Sequence, residues 1–236
     1  MAGRSYYLVS ALPALPDLGS PAPMTLADLR DHVRPSARPA ALVDTILLSD
    51  DLVQREAFLA REIDAPAPAV LSAEQVRDEA PLPEPLAPAD EAAAAPVASD
   101  AVWAAYFRHA AAVAGKFHSV LLAGWVSYEV ALRNALVTAR AKALDLNPAD
   151  YLVAADLGRT DEDFSDLLAA WSSAPNPLAG QKILDRARWT WLTEHEVWFS
   201  FADDEVAAYA AKLVLLVRWE RLSAAPERSP SGTSHA

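Results

Sequence analysis

Ser127-Tyr-Glu-Val-Ala-Leu-Arg-Asn-Ala-Leu-Val-Thr-Ala-Arg-Ala-Lys-Ala-Leu-Asp-Leu146 sets the class of this protein. Its Leu, Ala, Arg and Lys are the strongest helix formers. Val126, Val130, Leu132, Leu136, Val137 and Leu144 recur at the three-and-four spacing of one buried helical face. No proline stands between Pro96 and Pro148, so the whole of Ala101 to Leu146 is expected to be helical. Glu129, Arg133, Asn134 and Arg140 sit inside that apolar pattern. Glu129 and Arg133 are i, i+4, the favourable order for a helical ion pair worth about 0.2–0.5 kcal/mol at a surface. Asn134 is suited to fixing helix register by bonding a neighbour. These four are the structural and assembly candidates.

Composition points the same way. Of 236 residues, 53% are hydrophobic, much of it alanine, which suits close-packed helices. With only 7 Gly there is little material for phosphate-cradling loops, and the 18 Pro cluster outside the periodic segments. The expected fold is therefore all-α. A net charge of −12 argues against nucleic-acid binding, which needs Lys/Arg clusters. There is no Cys, so neither disulfides nor thiolate chemistry is available. The opening Met-Ala-Gly-Arg-Ser-Tyr-Tyr lacks the apolar core of a signal peptide. The most apolar run, Val120 to Val126, is far short of the ~20 residues of a membrane span. A soluble, cytoplasmic protein with no transmembrane segment is expected.

Four regions follow along the chain. Residues 1–63 form an N-terminal helical segment. Its opening, Tyr6 to Leu12, fits either a short strand or one helical turn. Thr25 with Asp28 marks the start of a helix over Leu26–Val33. Ala40 to Ile63 reads as helix, divided where Asp50-Asp51 would cap a second piece. Residues 64–100, rich in Pro, Ala and Glu, are expected to be a linker with one short helix within Leu71–Ala80, capped by Ser72. Residues 101–222 form the main helical domain. Within it Asn147-Pro148, Asp161 to Asp163, Asn176-Pro177 and Asp203 to Glu205 each open a helix. Residues 223–236 read as a disordered tail.

Catalytic signatures are sparse. There is no Walker loop, no Gly-x-Gly-x-x-Gly and no Gly-x-Ser-x-Gly elbow. His195-Glu196 begins like a zinc-protease helix, but Phe199 stands where the second ligand belongs. His109 and His118 do not share a helix face. Asp50-Asp51, Asp161/Asp163 and Asp203-Asp204 each lie at an expected helix start, where capping explains them. Trp189, Trp191, Trp198, Phe199 and Phe201 form an aromatic set. Trp189 and Trp191 point to different helix faces, so one of them is a candidate for an interface. No cofactor or metal is expected.

Glu129-Val-Ala-Leu-Arg-Asn134, followed by Arg140-Ala-Lys-Ala-Leu-Asp-Leu-Asn-Pro148, resembles a helix of the C-type stalk family of V/A-type ATPases, known as the d-type in eukaryotes. Asp204 to Leu222 is a weaker echo that lacks the Asn. Tyr6-Tyr-Leu-Val-Ser-Ala-Leu-Pro13, Leu132-Arg-Asn-Ala-Leu-Val137 and Asp185-Arg-Ala-Arg-Trp-Thr-Trp191 are similar to an uncharacterised bacterial family encoded within V-type ATPase operons. The resemblance implies a helical bundle or funnel that caps the membrane rotor ring and receives the central shaft. It implies a non-catalytic component of the central stalk on the inner face of the cell membrane, with the rotor ring and shaft proteins as partners. Two alternatives stand beside it. One is an assembly or regulatory factor of the same ATPase; the other is an unrelated helical enzyme using Glu129, Arg133 and His195.

Overall fold

A computed structural model describes residues 7–87, 97–158, 161–197 and 202–224. The tail beyond Ala224, residues 88–96 of the expected linker, and Trp198, Phe199 and Phe201 lie outside the described residues. The helices are α1 (Leu26–Val33), α2 (Ala37–Leu59), α3 (Ala73–Val76), α4 (Ala98–Phe117), α5 (Val120–Ala143), α6 (Ser165–Ser172), α7 (Pro177–His195) and α8 (Asp203–Ala224). Three 3-10 turns join them at Glu84–Leu86, Pro148–Tyr151 and Ala155–Leu157. The fold is mostly helical. No strand forms among the described residues, and the N-terminal alternative resolves as a helical turn over 7–10.

Local capping accounts for several boundaries. Thr25 and Asp28 form a reciprocal capping box at α1: Asp28 N–H donates to Thr25 Oγ1 at 3.0 Å, and Thr25 N–H to Asp28 Oδ2 at 3.2 Å. Ser72 and Gln75 do the same at α3. Asn176 accepts from Ala179 N–H at 2.8 Å, with Pro177 in the first helical position. Pro39 falls in the first turn of α2, where its missing N–H has no helical partner to lose.

Two expectations are corrected. Ala101 to Leu146 is not one helix but a hairpin, broken at His118 and Ser119. His118 takes a left-handed φ of 52° and Ser119 caps α5. The break has no Gly or Pro; Ser119 closes it locally, its N–H to the Ala114 carbonyl at 2.9 Å and its Oγ accepting from Leu122 N–H at 3.1 Å, and a further cap comes from far along the chain. Asp204 accepts from Ser119 Oγ and from the Val120 and Leu121 N–H groups at 3.1 and 3.2 Å. Asp203, Asp204 and Glu205 open α8 as expected, and Asp204 caps α5 as well. Beside it Arg38 of α2 donates to the Phe117 carbonyl at 2.8 Å and pairs with Asp203 at 3.2 Å. One end each of α2, α4, α5 and α8 is thereby pinned together.

The second correction concerns Asp50-Asp51. α2 runs through them without a break, and both are fully buried in its interior. Asp50 Oδ2 accepts from Arg221 of α8 at 2.7 Å and from Gln54 at 3.0 Å. Asp51 faces the other way. Its Oδ1 accepts from Ala69 N–H at 2.8 Å, and its Oδ2 from Val70 and Leu71 N–H at 2.7 Å each. Gln54 adds a bond from Ala67 N–H at 2.7 Å. Over 64–87 the Pro-rich stretch is thus a packed strap on α2, with Leu71, Val76 and Leu86 buried in the core. One hydrophobic cluster takes residues from both sides of it. By length and composition α5 is apolar enough to cross a bilayer; here Leu122, Val126, Val130 and Leu132 of that helix are buried in the core.

Burial pushes the Asp51 carboxyl above its ordinary range, its three N–H donors pull it down, and Asp50 adds to the rise. An amide has one acceptor oxygen and cannot serve three donors divided over two. Asp51→Asn is therefore expected to lower unfolding free energy by about 1–3 kcal/mol. It should also strip hydrogen-exchange protection from the amides of Ala69 to Leu71. Retained protection there would contradict the strap's anchoring.

Candidate functional site

The face of α5 carrying Trp125, Glu129, Arg133, Leu136 and Arg140 borders a cavity of about 1460 Å³. Stripes of α2, α4, α7 and α8 close the other sides, through Ile46, Tyr106, Arg188, Val214 and Arg218 among others. Close-packed interiors rarely leave so much space, and ligand pockets span about 300–1,000 Å³.

The polar residues of α5 find partners on other helices. Glu129 does not pair with Arg133. Arg188 of α7 reaches it with two donors, Nε to Oε1 at 2.7 Å and Nη2 to Oε2 at 3.1 Å. This two-point contact has a geometry an i, i+4 pair does not offer. Asp185, fully buried one turn earlier on α7, accepts from Arg188 at 3.3 Å and from Gln181 at 2.9 Å. Burial works against the charge of Arg188, but Glu129 and Asp185 outweigh it and hold the guanidinium above its ordinary range. The same burial, with Glu129 adding to it, pushes the phenols of Tyr106 and Tyr128 upward.

Arg133 instead pairs with Asp100 of α4 at 2.8 Å and lies over the Trp103 ring at 5.1 Å. Trp103 Nε1–H donates to Glu56 of α2 at 2.7 Å. Asn134 clasps one residue of the following loop: its Nδ2 donates to the Val153 carbonyl and its Oδ1 accepts the Val153 N–H, both at 2.9 Å. Arg140 lies 5.0 Å over Trp171 of α6. The four residues singled out from sequence thus tie α5 to α7, α4, the 152–154 loop and α6 in turn.

His195 lies apart. It lines a smaller cleft of about 520 Å³ with Ser127, Glu162 and Asp204. It stacks on Trp191 at 4.0 Å and approaches the Trp191 carbonyl through Nδ1 at 2.8 Å. Glu129, Arg133 and His195 therefore do not share one constellation. Trp191 is buried and packs on Trp125 and Tyr128, close against Gly124, where a Cβ would stand 3.3 Å from its ring. Trp189 is only half-buried, beneath Lys212 at 5.1 Å, so the two tryptophans do divide between faces. Among the described residues no group of three or more acidic or histidine side chains could hold a metal ion.

Arg188, Arg218 and Asp100 were not read from sequence as site residues. A signal existed for Arg188: Asp185 and Arg188 interrupt the apolar face of Leu184, Trp191 and Leu192 with a buried charge pair. Arg218 and Asp100 carried none, since each looks like an ordinary residue near a helix end.

Comparison with protein-family models, curated proteins and solved structures finds no match to this chain.

Glu129→Gln leaves Arg188 with a weakened partner in a mostly buried site. The expected cost is about 2–3 kcal/mol in urea denaturation, against less than ~1 for an exposed pair. A cost under about 0.5 kcal/mol would show that Glu129 behaves as a surface residue. Asn134→Leu removes both bonds to Val153 and is expected to destabilise by about 1–3 kcal/mol. Faster amide exchange at Val153 should accompany it; unchanged stability and exchange would refute the clasp.

Proposed function

We propose that this chain is a non-catalytic helical component of a V/A-type ATPase, acting at the central stalk between the membrane rotor ring and the shaft. The observation that carries the reading is where the resembling segments meet. Glu129, in the α5 segment similar to the C-type stalk family, is bound by Arg188. Arg188 lies in the Asp185–Trp191 segment similar to the operon-encoded family. Trp191 of that segment also packs on Trp125 and Tyr128 of α5. The residues on which the resemblance rests join helices to one another, as a load-transmitting scaffold requires. A cytoplasmic position on the inner membrane face follows from the same reading.

A second reading, an assembly or regulatory factor of the same ATPase, uses the same surfaces but differs in stoichiometry. Affinity purification of the tagged full chain, followed by native mass spectrometry of the recovered complex, separates the two. One copy per intact complex, together with ring and shaft proteins, supports the stalk component. Recovery only with partly assembled complexes supports the factor. Intact, coupled ATPase that never contains this chain would end both.

A further inference from the structure

Asp50 faces more arginine than it uses. Arg218 and Arg221 stand three residues apart on one face of α8, and both are directed at this single carboxylate of α2. Arg221 Nη1 donates to Oδ2 at 2.7 Å, and Gln54 Nε2 donates to the same oxygen at 3.0 Å. Oδ1 is buried with no hydrogen-bond partner among the described residues, and so is the Nε–H of Arg218. Arg218 Nη2 stands 3.9 Å from Oδ1, too far for a hydrogen bond. A movement of about 1 Å by this long, jointed side chain closes the gap to the ~2.8 Å of a charge-assisted bond.

The two arginines are held unequally. Arg218 sits at the edge of the buried stretch of α8 that includes Leu213, Leu215, Leu216 and Trp219, and its side chain is 17% exposed. The Arg221 side chain is 39% exposed, Glu220 and Ser223 are exposed, and Leu222 is half-buried. The last carbonyls of a helix lack intrahelical partners, and a turn with few apolar contacts opens at low cost. A buried charge stripped of its partner is, by contrast, strongly destabilising. If Arg221 were the sole cation within reach of Asp50, opening the last turn would carry that penalty. Arg218, anchored one turn earlier, removes it.

We infer that residues 221–224 are a releasable latch of α8 on α2, with Arg218 as the reserve partner that takes Oδ1 of Asp50 when Arg221 leaves. The buried carboxylate stays paired in both states, so the latch opens with the body of α8 still in place. Opening frees the Arg221 guanidinium, and an acidic partner that captures it favours the open state. This inference is independent of the ATPase reading.

The test uses the full chain, with unfolding followed in urea and amide exchange followed by NMR. Arg221→Met should speed exchange at residues 222–224 by at least about tenfold. It should change the unfolding equilibrium constant by less than about fivefold, because Arg218 takes its place. Arg218→Met should do the opposite at the latch: exchange at 222–224 slows by about tenfold, since opening now leaves Asp50 bare. The two substitutions together should raise the unfolding constant by about a hundredfold or more beyond the product of the single effects. Should that double variant not fold, adding Asp50→Asn, which removes the unpaired charge, is expected to restore folding. The inference is overturned if Arg221→Met alone costs as much as the pair, or if the two effects simply multiply. Exchange at 222–224 that ignores either single substitution would also overturn it, as would failure of Asp50→Asn to rescue an unfolded double variant.

Discussion

Two adjacent carboxylates in the middle of α2 govern how the rest of the chain is arranged. Successive helical residues point about 100° apart, so Asp50 and Asp51 cannot serve the same neighbour. Asp50 takes Arg221, with Arg218 nearby, and so fixes α8 along α2. Asp51 takes three consecutive backbone N–H groups and so fixes the strap. Each carboxylate is fully buried, and an unpaired buried charge costs several kcal/mol. The pairing therefore works as a constraint more than a source of stability. Any alternative packing of α2 would leave one of the two without its donors.

The same logic holds around α5. Its polar residues are each matched to a different neighbour, so sliding α5 by one turn would separate Glu129 from Arg188 and Asn134 from Val153 together. Apolar packing alone tolerates such slips, because one leucine replaces another with little loss. Directional pairs do not. The cavity beside them is bordered by five helices held this way, which is how an open volume persists next to a close-packed core.

What could be read from sequence divides along a physical line. Caps closed within three or four residues were legible: Thr25 with Asp28, Ser72 with Gln75, Asn176 at the start of α7. Their chemistry depends only on neighbours in the chain. Helical class was legible for the same reason, through period and propensity. Glu129, Arg133, Asn134 and Arg140 stood out as polar residues in an apolar stripe, but their partners did not. Asp100 and Arg188 lie tens of residues away, and no local rule prefers them over an i, i+4 neighbour. The strap was misjudged because proline marks a loss of helix, not a loss of packing. Its backbone N–H groups found a side-chain acceptor where a helix would have used carbonyls.

The cap that Asp204 places on α5 has a consequence for the order of synthesis. α4 and α5 leave the ribosome well before Asp204 is made, carrying a helix start whose N–H groups at Val120 and Leu121 have no local acceptor beyond Ser119. Until α8 follows, the break at His118 rests on local bonds alone, Ser119 N–H to the Ala114 carbonyl and Leu122 N–H to Ser119 Oγ. The kink is thus reinforced by a residue some eighty positions downstream of where it occurs. The last of the described helices adds two further acceptor contacts to the start of α5, at the Val120 and Leu121 N–H groups.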